Sequence, residues 1–277
     1  MTDPSSLCWI DGRVRSRALP ALRVDDSAYA EGRGCYTSVR IHTGRPRFET
    51  RHLRRLERCA HALGLGDFDH ASARRALHEL AELAFPAGEG VVRLQLSREG
   101  GGGARVVGIP RGLGPDRPTW RAITAPIAHE GPILVGGHKL TNRLLHALAN
   151  DAAAEAGADE ALLFDRAGRL VEAARSNVIV VDGDGRLCTP PLERGAVGGI
   201  AREILMERIP ELAPRDLSAR DLGGARAILC SNAVRGIRPL ESLDGVAVPG
   251  ADHPWVERLV AAFAIDENRA PRQRSMG

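Results

Sequence analysis

The chain has 277 residues, of which 43% are hydrophobic, and a formal net charge of +3. This length is enough for one large or two ordinary domains with a sizeable apolar core. Because the net charge is small and the basic residues are interleaved with Asp and Glu, nucleic-acid binding is not expected. No apolar run approaches the roughly 20 residues that cross a bilayer, so no membrane contact is expected either.

The N-terminus, the C-terminus and the cysteines indicate where in the cell the protein is expected to be found and which kinds of site it is expected to lack. Residues 1–13 lack the basic and then apolar layout of a secretory signal, so a cytoplasmic location is expected. Residues 268–277 are basic and poor in apolar side chains, which is typical of a disordered tail. No CxxC pair or His-Cys cluster occurs, so neither a disulfide framework nor a bound metal is predicted. The five cysteines are expected to be buried thiols: Cys8, Cys35, Cys59, Cys188 and Cys230.

The first part of the chain shows strand and helix patterns. An Asp-Gly turn at 11–12 and the turn-forming HTGR at 42–45 lie between short apolar runs, which predicts two β-hairpins. Apolar residues recur at helical spacing over 52–65 and again over 71–85, with Gly64 ending the first helix. Three further segments are strand-like: residues 90–99, 104–110 and 119–128.

The second part mixes strands and helices without the steady alternation of a parallel sheet. Residues 129–138 contain a proline and paired glycines without periodicity, which is typical of an interdomain connection. Helices are predicted over 142–157 and 198–209, and strands over 160–165, 170–173, 177–182 and 227–234. This pattern predicts an α/β (α+β mixed) chain of two domains. We expect a smaller N-terminal domain over 1–126, a linker over 127–138 and a larger C-terminal domain over 139–267.

Lysine is the rare basic residue of this chain. Lys139 is the single lysine among 38 Lys and Arg residues. Arginine replaces lysine well where only a solvated charge is needed, but its guanidinium stays protonated, whereas a desolvated ε-amine can lose its proton and attack a carbonyl. Lys139 is therefore a candidate for covalent amine chemistry. The alternative is a lysine left by chance on a solvated face.

Three segments around Lys139 support the first interpretation. They are HKLTNRL at 138–144, DEALLFDRAGRLVEAARSNVIVV at 159–181 and LCTPPLERGAVGGIAREIL at 187–205. In this order and spacing they resemble the fold-type IV pyridoxal-phosphate enzymes, which include branched-chain aminotransferases, D-amino-acid aminotransferases and aminodeoxychorismate lyase. The resemblance covers residues 24–245. It implies pyridoxal 5′-phosphate as cofactor, a two-domain fold with the active site between the domains, a small-molecule substrate and a homodimer.

The resemblance assigns roles to two residues of these segments. Lys139 matches the lysine that binds the cofactor covalently, and Glu172 matches the acid that faces the pyridine nitrogen. A carboxylate beside that nitrogen keeps it protonated, which makes the ring a stronger acceptor of electrons. The alternative for Glu172 is an exposed strand residue in a salt bridge.

The cofactor phosphate requires N–H donors and a positive charge. Residues 195–202, GAVGGIAR, form a glycine-rich turn before a helix, where free amides and the helix dipole attract an anion. The family pattern HLxRL at 52–56 assigns Arg55 to the phosphate, although a helix-surface arginine is the alternative. Ala201 and Ala233 stand where aminotransferases of the family often carry threonine. Backbone amides are expected to compensate for the two missing hydroxyl groups. The residues expected to surround the phosphate come from two loops, at 199–201 and 232–233. They are Gly199, Ile200, Ala201, Asn232 and Ala233.

Two local patterns favour the lyase within the family. GRGCYTSVRI at 32–41 is similar to the lyase pattern GDGCFTTARV, and SNAVRGIRPL at 231–240 is similar to TNSVRGVRP. Arg33 replaces the aspartate of the first pattern. Residues 104–106 replace the RGY that often follows a run of glycines in the family, which here is residues 100–103. The implied reaction converts 4-amino-4-deoxychorismate into 4-aminobenzoate and pyruvate for folate synthesis.

The lyase reaction suggests further site residues. Lys139 is expected to serve as the base, and Thr37 and Ser38 to bind substrate or position water, unless they are only hydroxyls on a strand face. Because arginine binds carboxylates bidentately, three arginines are candidates for the two substrate carboxylates: Arg40, Arg105 and Arg235. A D-amino-acid or branched-chain aminotransferase and a non-catalytic cofactor-binding protein are the alternatives. The presence of both Lys139 and Glu172 argues against the latter.

Overall fold

The computed structural model describes residues 4–18, 22–98, 103–131 and 136–265, and it divides into two compact units. Unit 1 holds the described residues up to Gly114, together with Ala264 and Ile265, and unit 2 runs from Pro115 to Phe263. The unit boundary lies earlier than the domain boundary expected at residue 126. The reason is that the strand Trp120–Thr124 pairs with two strands of unit 2. The described part of the expected linker 127–138 therefore falls within unit 2, and the expected tail lies outside the described residues.

Unit 1 is a six-stranded antiparallel sheet packed against two long helices. The strand order is β2-β1-β6-β5-β3-β4. Its elements are β1 Leu7–Ile10, β2 Arg13–Ser16, α1 Ser27–Ala30, β3 Cys35–His42, β4 Arg45–Pro46, α2 Glu49–Leu63, α3 His70–Ala84, β5 Glu89–Arg98 and β6 Ala104–Gly112. The apolar face of α2 and α3 joins the inner face of this sheet in one hydrophobic core.

Both predicted hairpins of unit 1 are confirmed. Asp11 and Gly12 both have positive φ, 51° and 78°, as a two-residue turn that matches the strand twist requires. Thr43 and Gly44 of the second hairpin also have positive φ, 47° and 72°. The φ values explain why an Asp-Gly pair and a Thr-Gly pair stand at these positions, since glycine enters the left-handed region without steric cost.

Helix α2 begins at Glu49, three residues before the predicted start. Phe48 precedes it with φ 52° and a buried ring. Glu49 accepts hydrogen bonds from Arg74 Nε at 2.6 Å and pairs with His78 Nε2 at 2.9 Å, both on α3. An acidic residue in the first turn also favours the helix dipole. These contacts outweigh the absence of an apolar residue at the start of the helix.

Arg33 stabilises the other end of α2. Its Nε donates to Leu63 O at 2.7 Å and its Nη2 donates to Gly64 O at 3.3 Å. The last carbonyls of a helix have no intrahelical donor, and a cation there also complements the dipole. The residue that departs from the lyase pattern at this position thus has a structural role in unit 1.

Unit 2 contains a mixed sheet with helices, so the α/β (α+β mixed) prediction is confirmed. The sheet path is β12-β11-β10-β13-β14-β7-β8-β9, with β15 paired to β14. The pairs β14–β7, β7–β8 and β11–β12 are parallel and the others antiparallel. The elements are β7 Trp120–Thr124, α4 Leu144–Glu155, β8 Glu160–Phe164, β9 Leu170–Ala173, β10 Asn177–Val181, β11 Leu187–Thr189, α5 Ile200–Arg208, β12 Ala213–Pro214, α6 Ala219–Gly223, β13 Ala227–Asn232, β14 Gly236–Leu243, β15 Val246–Ala247 and α7 Pro254–Ala264.

Two further expectations concern the cysteines and membranes. All five cysteines are free and buried, as predicted, and burial raises the pKa of the Cys230 thiol well above its usual range. Within the described ranges, none of the helices combines the length and the apolar character that a bilayer crossing requires.

The contact between Arg33 and α2 yields a prediction. Arg33→Ala removes both hydrogen bonds to the helix end, so the free energy of unfolding should fall by about 1 kcal/mol. Urea unfolding followed by circular dichroism measures this change. Arg54→Ala, on the exposed face of the same helix, is the matched control and should change stability by less than about 0.5 kcal/mol. Equal losses in the two variants would show that the helix end gains nothing from Arg33.

Candidate active site

Glu172 is held at both oxygens of its carboxylate. It lies on β9 opposite Leu163 of β8, and its relative exposure is 3%. Val197 N donates to Oε2 at 2.9 Å, and His146 Nε2 lies 3.0 Å from Oε1. Because a carboxylate only accepts, the proton of the second contact belongs to His146. The alternative of an exposed glutamate on a strand is therefore excluded.

A second histidine lies near the same oxygen. His129 Nε2 is 4.0 Å from Glu172 Oε1, and its ring is edge-on to that of His146. Its backbone N–H donates to Phe164 O at 2.8 Å, which places it just beyond the end of β8. Burial lowers the pKa of His129, and the negative charge of Glu172 opposes this only in part. The ring is thus predominantly neutral at pH 7.

The tautomer of His129 follows from its other contact. Gly131 N donates to His129 Nδ1 at 3.0 Å, so Nδ1 is an acceptor. A neutral imidazole carries one proton, which must then be on Nε2, the atom that faces Glu172. We call Glu172, His146 and His129 the carboxylate cluster. The sequence interpretation missed both histidines, although they lie ten residues before and seven residues after Lys139 in the sequence.

Lys139 is half-buried, in the segment that leads from Gly137 to helix α4. Gly137, with φ 84°, accepts a hydrogen bond from Gly198 N at 2.9 Å. This bond joins the lysine segment to residues 195–199, which we call the glycine loop. Since Val197 of this loop also binds Glu172, the loop connects the two residues that the sequence singled out for cofactor chemistry.

The glycine loop ends at the N-terminus of α5. Gly199 is the N-cap residue, and no side chain caps this helix. A Cβ on Gly199 would collide with Asn177 Oδ1, and one on Gly195 would collide with the backbone of Gly131. Asn177 Nδ2 in turn donates to Val197 O at 2.9 Å. Close packing therefore requires glycine here, and the first amides of this nine-residue helix have no side-chain cap, so they could bind an anion.

Asn232 organises the second predicted phosphate loop. Its Oδ1 accepts from Val234 N at 3.0 Å and from Arg235 N at 2.7 Å, and its Nδ2 donates to Ser176 Oγ at 3.1 Å. The side chain is thus occupied with holding the turn that contains Ala233. The predicted contacts of Asn232 and Ala233 with the phosphate stay predictions.

Arg235 shares a carboxylate with a neighbour in unit 2. Its Nη1 lies 3.5 Å from Asp116 Oδ2, and Arg238 Nη2 lies 2.5 Å from the same oxygen. Burial works to raise the pKa of Asp116, but its bonds to Arg238 and Trp120 hold that pKa below its usual value. Two guanidinium groups therefore share one carboxylate, so the side chains of Arg235, Arg238 and Asp116 together carry a net positive charge.

The other two substrate arginines lie in unit 1, each beside an acid. Arg40 Nη2 donates to Glu89 Oε2 at 2.6 Å. Arg105 Nη2 donates to Asp11 Oδ1 at 2.9 Å. Binding of a substrate carboxylate by either arginine would compete with an existing ion pair. Their predicted role stays a prediction.

Unit 1 also contains a buried chain of hydrogen bonds at Arg55. Arg55 Nη2 donates to Thr37 Oγ1 at 2.5 Å, and the same hydroxyl is hydrogen-bonded to His52 Nδ1 at 2.6 Å. All three side chains are buried, which excludes the alternative of a helix-surface Arg55. Ser38 is half-buried, and as the next strand residue it points to the opposite face from Thr37. The catalytic roles predicted for Thr37 and Ser38 stay predictions.

The groups of unit 2 fit pyridoxal phosphate. The cofactor needs an amine for its aldehyde, an acceptor for its ring nitrogen and donors for its phosphate. Lys139, the fixed carboxylate of Glu172 and the uncapped start of α5 are the groups that could supply these three functions. The buried Nδ1 atom of His146 has no hydrogen-bond partner in the described part of the chain, which agrees with a bound group nearby.

The chain is similar in sequence to known aminotransferases. D-alanine aminotransferase from Bacillus licheniformis is 25% identical over 271 residues, which cover 91% of this chain and 94% of the relative. A probable branched-chain-amino-acid aminotransferase from Synechocystis sp. is 30% identical over 131 residues, which cover 46% of this chain and only 42% of the relative.

Solved structures give the same fold. The 4-amino-4-deoxychorismate lyase from Pseudomonas aeruginosa matches with a TM-score of 0.74 and 31% identity, covering 88% of this chain and 93% of that chain. A hypothetical aminotransferase from Mycobacterium tuberculosis, in its PLP-bound form, matches with a TM-score of 0.81 and 24% identity, covering 93% and 97%. Residues 34–243 match the family described as amino-transferase class IV. Because that match covers well over half of the sequence, the chain belongs to the class IV aminotransferase family, whose members are pyridoxal-phosphate enzymes.

Proposed function

We propose that this enzyme is an aminodeoxychorismate lyase, which converts 4-amino-4-deoxychorismate into 4-aminobenzoate and pyruvate in folate synthesis. The observation that carries the proposal is the lyase-like sequence at 32–41 and 231–240. The likeness to the Pseudomonas aeruginosa lyase, at 31% identity over 88% of this chain, supports it. The full-length similarity to a D-alanine aminotransferase favours an aminotransferase as the second candidate. We place the enzyme in the cytoplasm and expect it to be a homodimer.

Lys139 has two tasks in this reaction. Its amine would hold the cofactor covalently and, once the substrate is bound, would be free to accept a proton. The proton comes from the ring carbon that bears the substrate amine. The C–O bond to the enolpyruvyl group then breaks, the leaving group takes the electron pair and becomes pyruvate on protonation, and the ring becomes aromatic. Aromatisation makes the elimination effectively irreversible.

Glu172 and α5 supply the electrostatics. Bound pyridoxal phosphate provides the electron acceptor that makes the substrate proton acidic. Glu172 lies in a fixed orientation, with Val197 N on one oxygen and His146 on the other, so its negative charge needs no reorganisation during the reaction. The amides at the start of α5, at the positive end of the helix dipole, would bind the negatively charged phosphate.

Arg235 is the substrate arginine that we favour. Of the three candidates, it alone belongs to the unit that carries Lys139 and Glu172. Asp116 orients it, while the second guanidinium, that of Arg238, keeps the local charge positive. A substrate carboxylate can therefore join this group without displacing Asp116. Planar guanidinium groups are suited to such bidentate contacts.

The first prediction concerns the single lysine. Borohydride reduction should fix the cofactor on Lys139, and peptide mapping should find the label there. Lys139→Ala should lower turnover by several orders of magnitude, because both the nucleophile and the base are lost. Lys139→Arg, the charge-conserving control, should be nearly as inactive, since guanidinium performs neither task at neutral pH. Full activity in either variant would contradict the assignment.

The second prediction concerns Glu172. Glu172→Gln keeps the size of the side chain but removes its charge, so turnover should fall by roughly 10²-fold or more. Steady-state kinetics with cofactor occupancy checked by absorbance measures the change. Glu193→Gln, outside the strands of unit 2, is the control and should keep normal turnover. If Glu172→Gln retained normal turnover at full occupancy, the carboxylate would have no part in the chemistry.

The third prediction separates the lyase from its relatives. With enzymatically generated aminodeoxychorismate and no added keto acid, 4-aminobenzoate and pyruvate should form in equal amounts. Elimination returns the cofactor to its starting form, whereas a transaminase half-reaction leaves it aminated. D-alanine or L-leucine with 2-oxoglutarate should react slowly at best. Rapid amino-group exchange with either amino acid, and no 4-aminobenzoate, would favour the aminotransferase.

A further inference from the structure

We propose that His146 is a positioning residue that holds Glu172 toward the cofactor ring, and that His129 supports it. The proposal rests on the placement of Glu172 at the ring nitrogen, not on the choice between lyase and aminotransferase. It arises from the carboxylate cluster together with Val197 N, since three N–H groups from three separate segments converge on one buried carboxylate.

The donors differ in strength. Val197 N at 2.9 Å and His146 Nε2 at 3.0 Å are within hydrogen-bond distance, on different oxygens of the carboxylate. His129 Nε2 at 4.0 Å is beyond that distance and contributes an oriented dipole only. One bond to each oxygen is sufficient to fix rotation of the carboxylate about its last torsion. Removal of the His146 bond should therefore free that rotation, since Val197 alone holds a single oxygen.

His146 itself is fixed by the start of α4. It lies in the first turn of this helix, and its carbonyl accepts a hydrogen bond from Asn150 Nδ2 at 2.7 Å. Arg143, the residue before the helix, donates to Ala174 O at 3.2 Å, just beyond β9. The same short segment that carries Lys139 thus ends in the group that orients Glu172. The amine and the carboxylate that serve one cofactor are set by a common piece of backbone.

The three side chains of the carboxylate cluster also resemble a metal site. Their ligand atoms all lie within 4.8 Å of one another. A metal at His129 Nε2 would require the lone pair of that nitrogen and would force the proton onto Nδ1. Nδ1, however, accepts a hydrogen bond from Gly131 N at 3.0 Å, and two N–H groups would then face each other. The N–H groups of both histidines are therefore directed at Glu172, and the cluster is not arranged to bind a metal.

A matched pair of amide variants tests the proposal. His146→Gln places an N–H donor near the position of Nε2, whereas His146→Asn is one carbon shorter and does not reach Glu172. His129→Asn keeps an acceptor for Gly131 N and removes the distant donor. Leu148→Ala, on the exposed face of α4, controls for changes in the helix. Circular dichroism and thermal unfolding establish that each variant is folded.

Two measurements need no substrate. The dissociation constant of pyridoxal phosphate is measured by equilibrium dialysis, and the protonation of the ring nitrogen by ¹⁵N NMR of cofactor labelled at that atom. We expect His146→Asn to weaken cofactor binding about tenfold and to move the ¹⁵N signal toward the unprotonated position, as Glu172→Gln should. His146→Gln should restore both values to within about threefold, and His129→Asn should change them less than His146→Asn.

The outcomes are distinguishable. If His146→Asn kept the parent ¹⁵N signal and affinity while Glu172→Gln changed them, His146 would have no positioning role. If Glu172→Gln also left the signal unchanged, the placement of Glu172 at the ring nitrogen would fail, and this proposal with it. Micromolar Zn²⁺ binding to the cofactor-free protein, measured by calorimetry and lost in His129→Asn, would overturn the proposal in favour of a metal site. The lyase assay is independent of all three results.

Discussion

The buried carboxylate of Glu172 is the constraint on which the rest of unit 2 depends. A charge taken out of water is costly unless hydrogen bonds replace the lost solvent. Here the backbone of the glycine loop supplies one donor and the first turn of α4 supplies another. Each partner is fixed in turn by the elements around it. The position of one carboxylate thus determines how a strand, a loop and a helix meet.

The glycine loop is the second element of this arrangement. Its backbone contacts the lysine segment through Gly137, β9 through Glu172 and β10 through Asn177. A side chain at Gly199 would collide with Asn177, so small residues are needed for these contacts to coexist. The same packing leaves the first amides of α5 without a side-chain cap. Tight packing and an uncapped helix start are therefore two consequences of one sequence.

Some arginines of this chain have clear structural roles. Arg33 binds the end of α2, and Arg55 is held by Thr37 within the buried part of unit 1. Arg235 differs because it shares Asp116 with a second arginine in the unit that carries Lys139. The distinction lies in the partners of each guanidinium group. A count of arginines in the sequence contains no such information.

The sequence by itself determined the family, the cofactor and the local turns. A lone lysine among arginines, an acid at a characteristic distance from it and a glycine-rich helix start carried the resemblance to the cofactor family, and the φ values at Asp11 and Gly12 follow directly from an Asp-Gly pair. These features depend on residue type and short spacing, which one sequence displays in full.

Only the tertiary structure decided which groups surround those residues. His129 and His146 come from a loop and a helix, and Glu172 comes from a strand; sheet pairing after β8 and the start of α4 bring them together. Likewise, strand β7 belongs to unit 2 because it pairs with β8 and β14 of that unit. Both partner strands are dozens of residues away in the sequence. Such contacts depend on strand register, helix position and side-chain rotamers, which are set by packing across the whole unit and leave no periodic pattern in the sequence.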